Sequence, residues 1–243
     1  MSDDTSFAPS QPAAATTDPA ATPAAAQDGA ASRRQRQSER AQALLAQLGV
    51  WHPLLFGETP APMKLGIFQE LAAAHPEVPH TALRAALRLH TRSTRYLHAL
   101  ASGAARLDLE GNAAAAVAPE HLWQALVELA RRRQRRSGQG QGAWLRRRAV
   151  QAWAHSGVAP GPWGDAIRSQ GSLGEEADAA LDAALRQAAG QAARDEALLR
   201  AFEAAGGSVE GFAASLGREP AAAAQQLDAA RRRRAAAPRD FQK

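Results

Sequence analysis

LRAALRLHTRSTRYLHAL, residues 83–100, is the stretch on which the reading of this chain turns. Leu83, Ala86 and Leu87 recur at helical spacing and point one way, while Arg84 and Arg88 stand one turn apart on the other side. Were the stretch a single helix, Arg84, Arg88, Arg92 and Arg95 would share a stripe roughly 80° wide, at ~100° per residue. Thr91, Ser93 and Thr94 argue for an interruption, because they suit helix N-caps better than helix interiors. A break there and a fresh helix from Arg95 to about Ala101, ended by Gly103, follow. In either case Arg84 and Arg88 keep a pitch that suits successive phosphates of a nucleic-acid backbone. The same arginines would also serve as the solvated face of an ordinary helix.

On the N-terminal side, Met63 to Ala74 reads as a helix with Leu65, Phe68 and Leu71 inward. An extended connector with Pro60 and Pro62 precedes it, and Leu44, Leu45 and Leu48 mark an earlier helix from Arg40. On the C-terminal side, Arg106-Leu107-Asp108-Leu109-Glu110-Gly111 alternates polar and apolar residues, a short strand entering a turn, and Ala113 to Val117 pairs back on it. Pro119 opens a helix containing Leu122, Trp123, Leu126, Val127 and Leu129. The run RRRQRR (131–136) followed by SGQGQG reads as a flexible basic linker. Residues 144–155 and 175–234 are helical and the latter Ala-rich, broken at Gly206-Gly207 and Gly217 and closing on Arg231 to Arg234.

The expected organisation is therefore mostly α with a small β-hairpin (α+β). An arm over 1–37 comes first, and its first 32 residues are too poor in large apolar side chains to offset chain entropy, so it reads as disordered. A compact domain over 38–133, a linker over 134–143, an Ala-rich helical region over 144–234 and a tail over 235–243 complete the chain.

Charge is distributed unevenly. Residues 1–32 hold four acids and no Lys or Arg; residues 33–148 hold 18 Lys or Arg against 8 acids, a net of +10; residues 149–243 hold 11 against 12. A block this basic favours a polyanion. The chain has no cysteine, which excludes disulfides, thiolate metal sites and cysteine nucleophiles. The seven histidines have no HExxH spacing, Gly138-Gln-Gly-Gln-Gly lacks the Lys of a P-loop, and Asp108, Glu110 and Asn112 do not complete a calcium loop. The expectation is a protein without enzymatic activity, metal or cofactor. No apolar run approaches the ~18–20 residues that cross a bilayer, the arm lacks the features of a secretory signal, and a cytoplasmic protein is expected.

Four blocks in order, PMKLGIF (62–68), LRAALRLHT (83–91), STRYLHAL (93–100) and GAARLDLEG (103–111), resemble the ProQ/FinO family of RNA-binding domains, over roughly residues 38–133. The resemblance implies a compact helical domain with a β-hairpin, and binding to structured RNA: hairpins with a single-stranded 3′ tail, small RNAs and mRNA 3′ ends, in post-transcriptional regulation. It places a lysine at Lys64, where a phosphate contact beside Gly66 and a helix start is expected, and it brings Tyr96 and Arg106 together to hold the RNA 3′ end. Arg84, Arg88 and Arg95 complete the principal candidates. Arg92, Ser93, Thr94, Arg131, Arg132 and Arg133 are secondary ones, Ser93 and Thr94 serving equally well as plain N-caps. Tyr96, the chain's only tyrosine, offers a ring that could stack on an unpaired base or pack the helix. Two departures from the family stand out: His90 occupies a position where a tyrosine is frequent, and Glu110-Gly111 replaces Asp-Gly, which implies a looser turn.

A different reading places DNA binding, or a protein partner, in 144–234, because FAASLG (212–217) followed by a helix has helix-turn-helix spacing. The second helix of that pair begins Pro220-Ala-Ala-Ala-Ala and brings no side chain that reads a base edge. A membrane-surface role lacks the wide apolar face that insertion needs.

Overall fold

The computed structural model of the chain describes residues 23–156 and 158–236, with side chains over 35–232. Thus the first 22 residues of the arm, the end of the tail, and the side chains of Arg233 and Arg234 lie outside the described residues. Helix α1 (Pro23–Trp51) leads into a short α2 (Pro53–Phe56), then α3 (Ile67–Ala74), α4 (His80–Thr91) and α5 (Thr94–Ala101). Strands β1 (Arg106–Leu107) and β2 (Ala113–Ala115) follow, and then α6 (Pro119–Ser137), α7 (Gly142–Ser156), α8 (Pro160–Arg168), α9 (Glu175–Ala204), α10 (Val209–Leu216) and α11 (Pro220–Ala236). The class is mostly helical with one two-stranded antiparallel sheet, as the sequence indicates.

The break inside 83–100 falls where the threonines and serine put it. Helix α4 ends at Thr91, and Ser93 adopts an extended backbone and accepts the Tyr96 N–H on its side chain at 3.1 Å, a regular N-cap for α5. The hairpin pairs Arg106 with Ala115 and Leu107 with Ala113 around a bulge. Its turn is closed by Asp108, whose carboxylate accepts the Asn112 N–H at 2.8 Å. Gly111 there has φ +87°, a left-handed conformation that favours glycine, and a Cβ on it would push aside the exposed Leu54 side chain. The segment before α3 lies alongside this hairpin: Leu107 N–H donates to Pro62 O and Lys64 N–H to Leu107 O, both at 2.8 Å. This extra edge contact delays α3, which begins at Ile67 rather than Met63. Ile67 and Leu71 are its buried residues, and Leu65, expected inward, is 68% exposed.

Three apolar clusters order the molecule. The first joins α1 to α4 and includes Leu48, Leu55, Leu71, Leu83 and Tyr96. The second runs through α5, α6, α7, α8 and α9 around Trp123, Leu126, Leu145 and Trp163. The third packs α10 and α11 on the far end of α9 through Phe202, Phe212 and Leu227. Leu100 touches both the first and the second.

Two expected boundaries are therefore placed differently. The helix through Pro23 crosses the 37/38 boundary, since the Ala-rich stretch after Pro23 holds no further proline to stop it. The basic linker over 134–143 is largely helix: α6 continues to Ser137, Gly138 caps it at φ +69°, and α7 begins at Gly142. One core spans both sides of that linker, so the Ala-rich region packs on the family-like domain through α6.

Candidate nucleic-acid interface

The side chains singled out in the sequence divide into three groups. In the first, Arg88, Arg92 and Arg95 are exposed and make no side-chain hydrogen bond or ion pair among the described residues. Arg84 is exposed with its guanidinium 5.0 Å from the centroid of the Phe68 ring, a stacking that fixes it at the surface. Because α4 stops at Thr91, the four do not form one continuous helical stripe; Arg84 and Arg88 belong to α4, Arg92 to the bend, Arg95 to α5.

The second group is committed to protein partners. Arg132 donates to Thr94 Oγ1 and to the Arg92 carbonyl, each at 2.8 Å, and to Glu128 at 2.9 Å, which ties α6 to the turn between α4 and α5. Arg131 donates to the Leu173 carbonyl at 2.6 Å. Arg133 donates to Gln141 at 3.1 Å and lies 5.2 Å from the Trp144 ring centroid. These three are thus structural pins of α6 rather than free cations of a linker. Lys64 pairs with Glu70 in the first turn of α3, and that hydrogen bond and charge hold its pKa above the usual lysine value. A phosphate would have to share Lys64 with Glu70.

The third group is Tyr96 and Arg106, and the structure does bring them together. They meet on Met63, whose N–H donates to Tyr96 Oη at 3.2 Å and whose carbonyl accepts from Arg106 Nη1 at 2.8 Å. Tyr96 is 4% exposed, with its ring 5.0 Å from that of His90, so the open stacking face expected of it is absent. Its apolar ring belongs to the core and its hydroxyl takes up a backbone N–H that would otherwise go unpaired. Arg106 is 5% exposed, and its second contact is from Nη2 to His121 Nδ1 at 3.3 Å. Both acceptors are neutral, and no carboxylate pairs with this guanidinium among the described residues. At the start of α5, Ser93 is occupied as the N-cap and Thr94 by Arg132, while the N–H groups of Thr94 and Arg95 have no acceptor among the described residues.

His121 and the Met63 backbone are the site members that sequence reasoning missed. They reach Arg106 across 15 and 43 residues, and no local pattern announces such contacts. Among the described residues there is no group of three His, Asp or Glu side chains placed to hold a metal ion, and no helix long and apolar enough to cross a membrane. In the C-terminal pair, α10 and α11 meet at Gly217, and Pro220, Ala221 and Ala222 are the exposed start of α11.

What fold and site define is a basic helical domain, with a small sheet, that buries one arginine among neutral acceptors and leaves two N–H groups open at the start of α5. Residues 38–141 match the sequence model of the ProQ/FINO family, and through this domain the chain belongs to that family. Over 93 residues it is 45% identical to an RNA chaperone ProQ of Shewanella frigidimarina, covering 36% of this chain and 45% of that protein. Over 96 residues it is 42% identical to the RNA chaperone ProQ of Haemophilus influenzae, covering 37% and 48%. A solved structure of a FinO-like RNA chaperone from Neisseria meningitidis is similar at 30% identity and a TM-score of 0.33, over 36% of this chain and 90% of that one. The chain spans less than half the length of the curated relatives it matches.

Proposed function

We propose that this chain is an RNA-binding protein that acts as an RNA chaperone, gripping hairpins by a single-stranded 3′ tail at Arg106. Small RNAs and mRNA 3′ ends carry such tails, and the setting is post-transcriptional regulation in the cytoplasm. The observation that carries the reading is the buried Arg106 guanidinium with neutral acceptors only. Burying a cation without a counter-charge is costly, and an incoming phosphate offsets that cost. A site this closed suits the end of one strand, because a duplex backbone is too wide to enter it. The unpaired N–H groups of Thr94 and Arg95 would take the phosphates next to the end, and Arg92 and Arg95 would continue the path outward. Arg84 and Arg88 would meet the stem, where backbone contacts position the RNA without reading its sequence. Tyr96 contributes as the strut that holds Met63, and so Arg106, in place. The names of the relatives, RNA chaperones all, support RNA as the partner.

The test is competition binding of the full chain with two RNAs, a hairpin with a free 3′ tail and the same hairpin made blunt. Hydrogen bonds to a charged group contribute about 1.5–3 kcal/mol, or roughly 10- to 150-fold in affinity. Arg106→Met is expected to weaken the tailed hairpin by that order and leave the blunt one unchanged, with helicity intact by circular dichroism. Equal weakening of both RNAs would remove the 3′-end reading.

A further inference from the structure

We infer that His121 is the positioning residue that sets tail preference, by holding Arg106 through a neutral acceptor so that the full positive charge is left for the RNA. The inference rests on the proposed role of Arg106. His121 stands in the first turn of α6, the helix that joins the family domain to the Ala-rich region, and its Nδ1 is 3.3 Å from Arg106 Nη2. A guanidinium has five N–H donors and cannot accept, so Nδ1 must be the acceptor and the ring proton must sit on Nε2. In this state the imidazole is uncharged. Together with the Met63 carbonyl it fixes the plane of the guanidinium from two sides, as two bonds to different nitrogens must.

An aspartate or glutamate would be the usual partner for a buried arginine, through a two-pronged ion pair that saturates its donors and cancels its charge. The first turn of a helix also favours an acidic side chain over an imidazole. On stability alone, then, the position invites a carboxylate. A histidine there gives the same anchoring without the neutralisation, which makes sense only where the charge is needed by something that is not part of the chain.

Asparagine and aspartate separate anchoring from charge, since each can set a side-chain oxygen close to where Nδ1 stands and they differ by one unit of charge. The experiment measures binding of the tailed and the blunt hairpin to the full chain carrying His121→Asn or His121→Asp, with urea unfolding of each. His121→Asn should keep the preference for the tail. His121→Asp should raise the unfolding midpoint yet reduce the preference by about tenfold or more. A purely structural anchor would also raise the unfolding midpoint in His121→Asp but would leave its tail preference equal to that of His121→Asn, and that result overturns the inference. So does loss of preference in a folded His121→Asn. Arg106→Met in the same series reports on the underlying reading: if it leaves the tail preference intact, Arg106 is not the tail site and the role of His121 falls with it. If it abolishes the preference while His121→Asp does not, only the inference about His121 fails.

Discussion

Tyr96 and His90 show how a single side chain can look like a ligand contact in sequence and behave as core. Both sit in the same strip as the arginines, their rings tilted against each other with centroids 5.0 Å apart, and the Phe56 ring lies 4.7 Å from that of His90. His90 is 7% exposed and its Nε2 has no partner among the described residues. Burial pushes its pKa down from 6.5 to about 4, against a smaller opposing effect of the Leu55 backbone. The folded chain therefore keeps His90 neutral, while the unfolded chain takes up the proton first as pH falls. Stability from this group is complete above pH 6.5 and is lost between about 6.5 and 4, by up to about 3 kcal/mol. Urea unfolding across that range should show the loss, and His90→Phe should flatten most of it. Burial, and then the nearby His75, lower His52 as well, so a shallower slope of the same sign should persist in the variant. An unchanged pH profile in His90→Phe would mean that His90 is not the group responsible. The sequence could mark Tyr96 and Arg106 as special only through family resemblance, because their shared contact, Met63, is 33 residues from one and 43 from the other.

At the level of elements, local signals read well and boundaries set by distant contacts did not. The α4–α5 break follows from three hydroxyl side chains within four residues, and the hairpin from alternation ending in Gly111; both appear where the sequence puts them. The start of α3 and the end of α6 do not. Pro62 to Lys64 is drawn off into edge pairing with Leu107, and α6 runs on because Arg131, Arg132 and Arg133 find acceptors on Leu173, on Thr94 and Arg92, and on Gln141. Nothing in an RRRQRR run distinguishes helix pins from linker charges; only the partners do. The consequence is that Arg88 on α4, Arg92 in the bend and Arg95 on α5 are left without a protein partner among the described residues, with Arg84 stacked on Phe68, whereas Arg131, Arg132 and Arg133 are held by theirs. Each phosphate neutralised contributes roughly 0.7–0.9 to the slope of log affinity against log salt. Replacing Arg84 and Arg88 together with Ala should flatten that slope by roughly 1–2 units, for tailed and blunt hairpins alike. An unchanged slope in a folded double variant would make these arginines a solvated face and no more.

For the whole molecule, the significant fact is that the second apolar cluster takes residues from α5 and α6 on one side and α7, α8 and α9 on the other. A cut after Arg136 would strip Leu145, Trp163 and Leu181 from around Trp123 and Leu126. The same α6 carries His121 at its start and Arg132 eleven residues further along, so the helix that joins the two halves also holds Arg106 and the turn before α5. The proposed site at Arg106 is thus held in part through α6, which packs in the α5–α9 core. Its most direct test needs the full chain: bind a hairpin whose 3′-terminal nucleotide is 4-thiouridine, irradiate, and map the cross-linked peptides. The account predicts cross-links confined to the segments around Met63, Ser93 to Tyr96 and Arg106, lost on competition with an unlabelled tailed hairpin and kept with a blunt one. Cross-links instead on the arginine run of α6, or spread over α7 to α11, would contradict it.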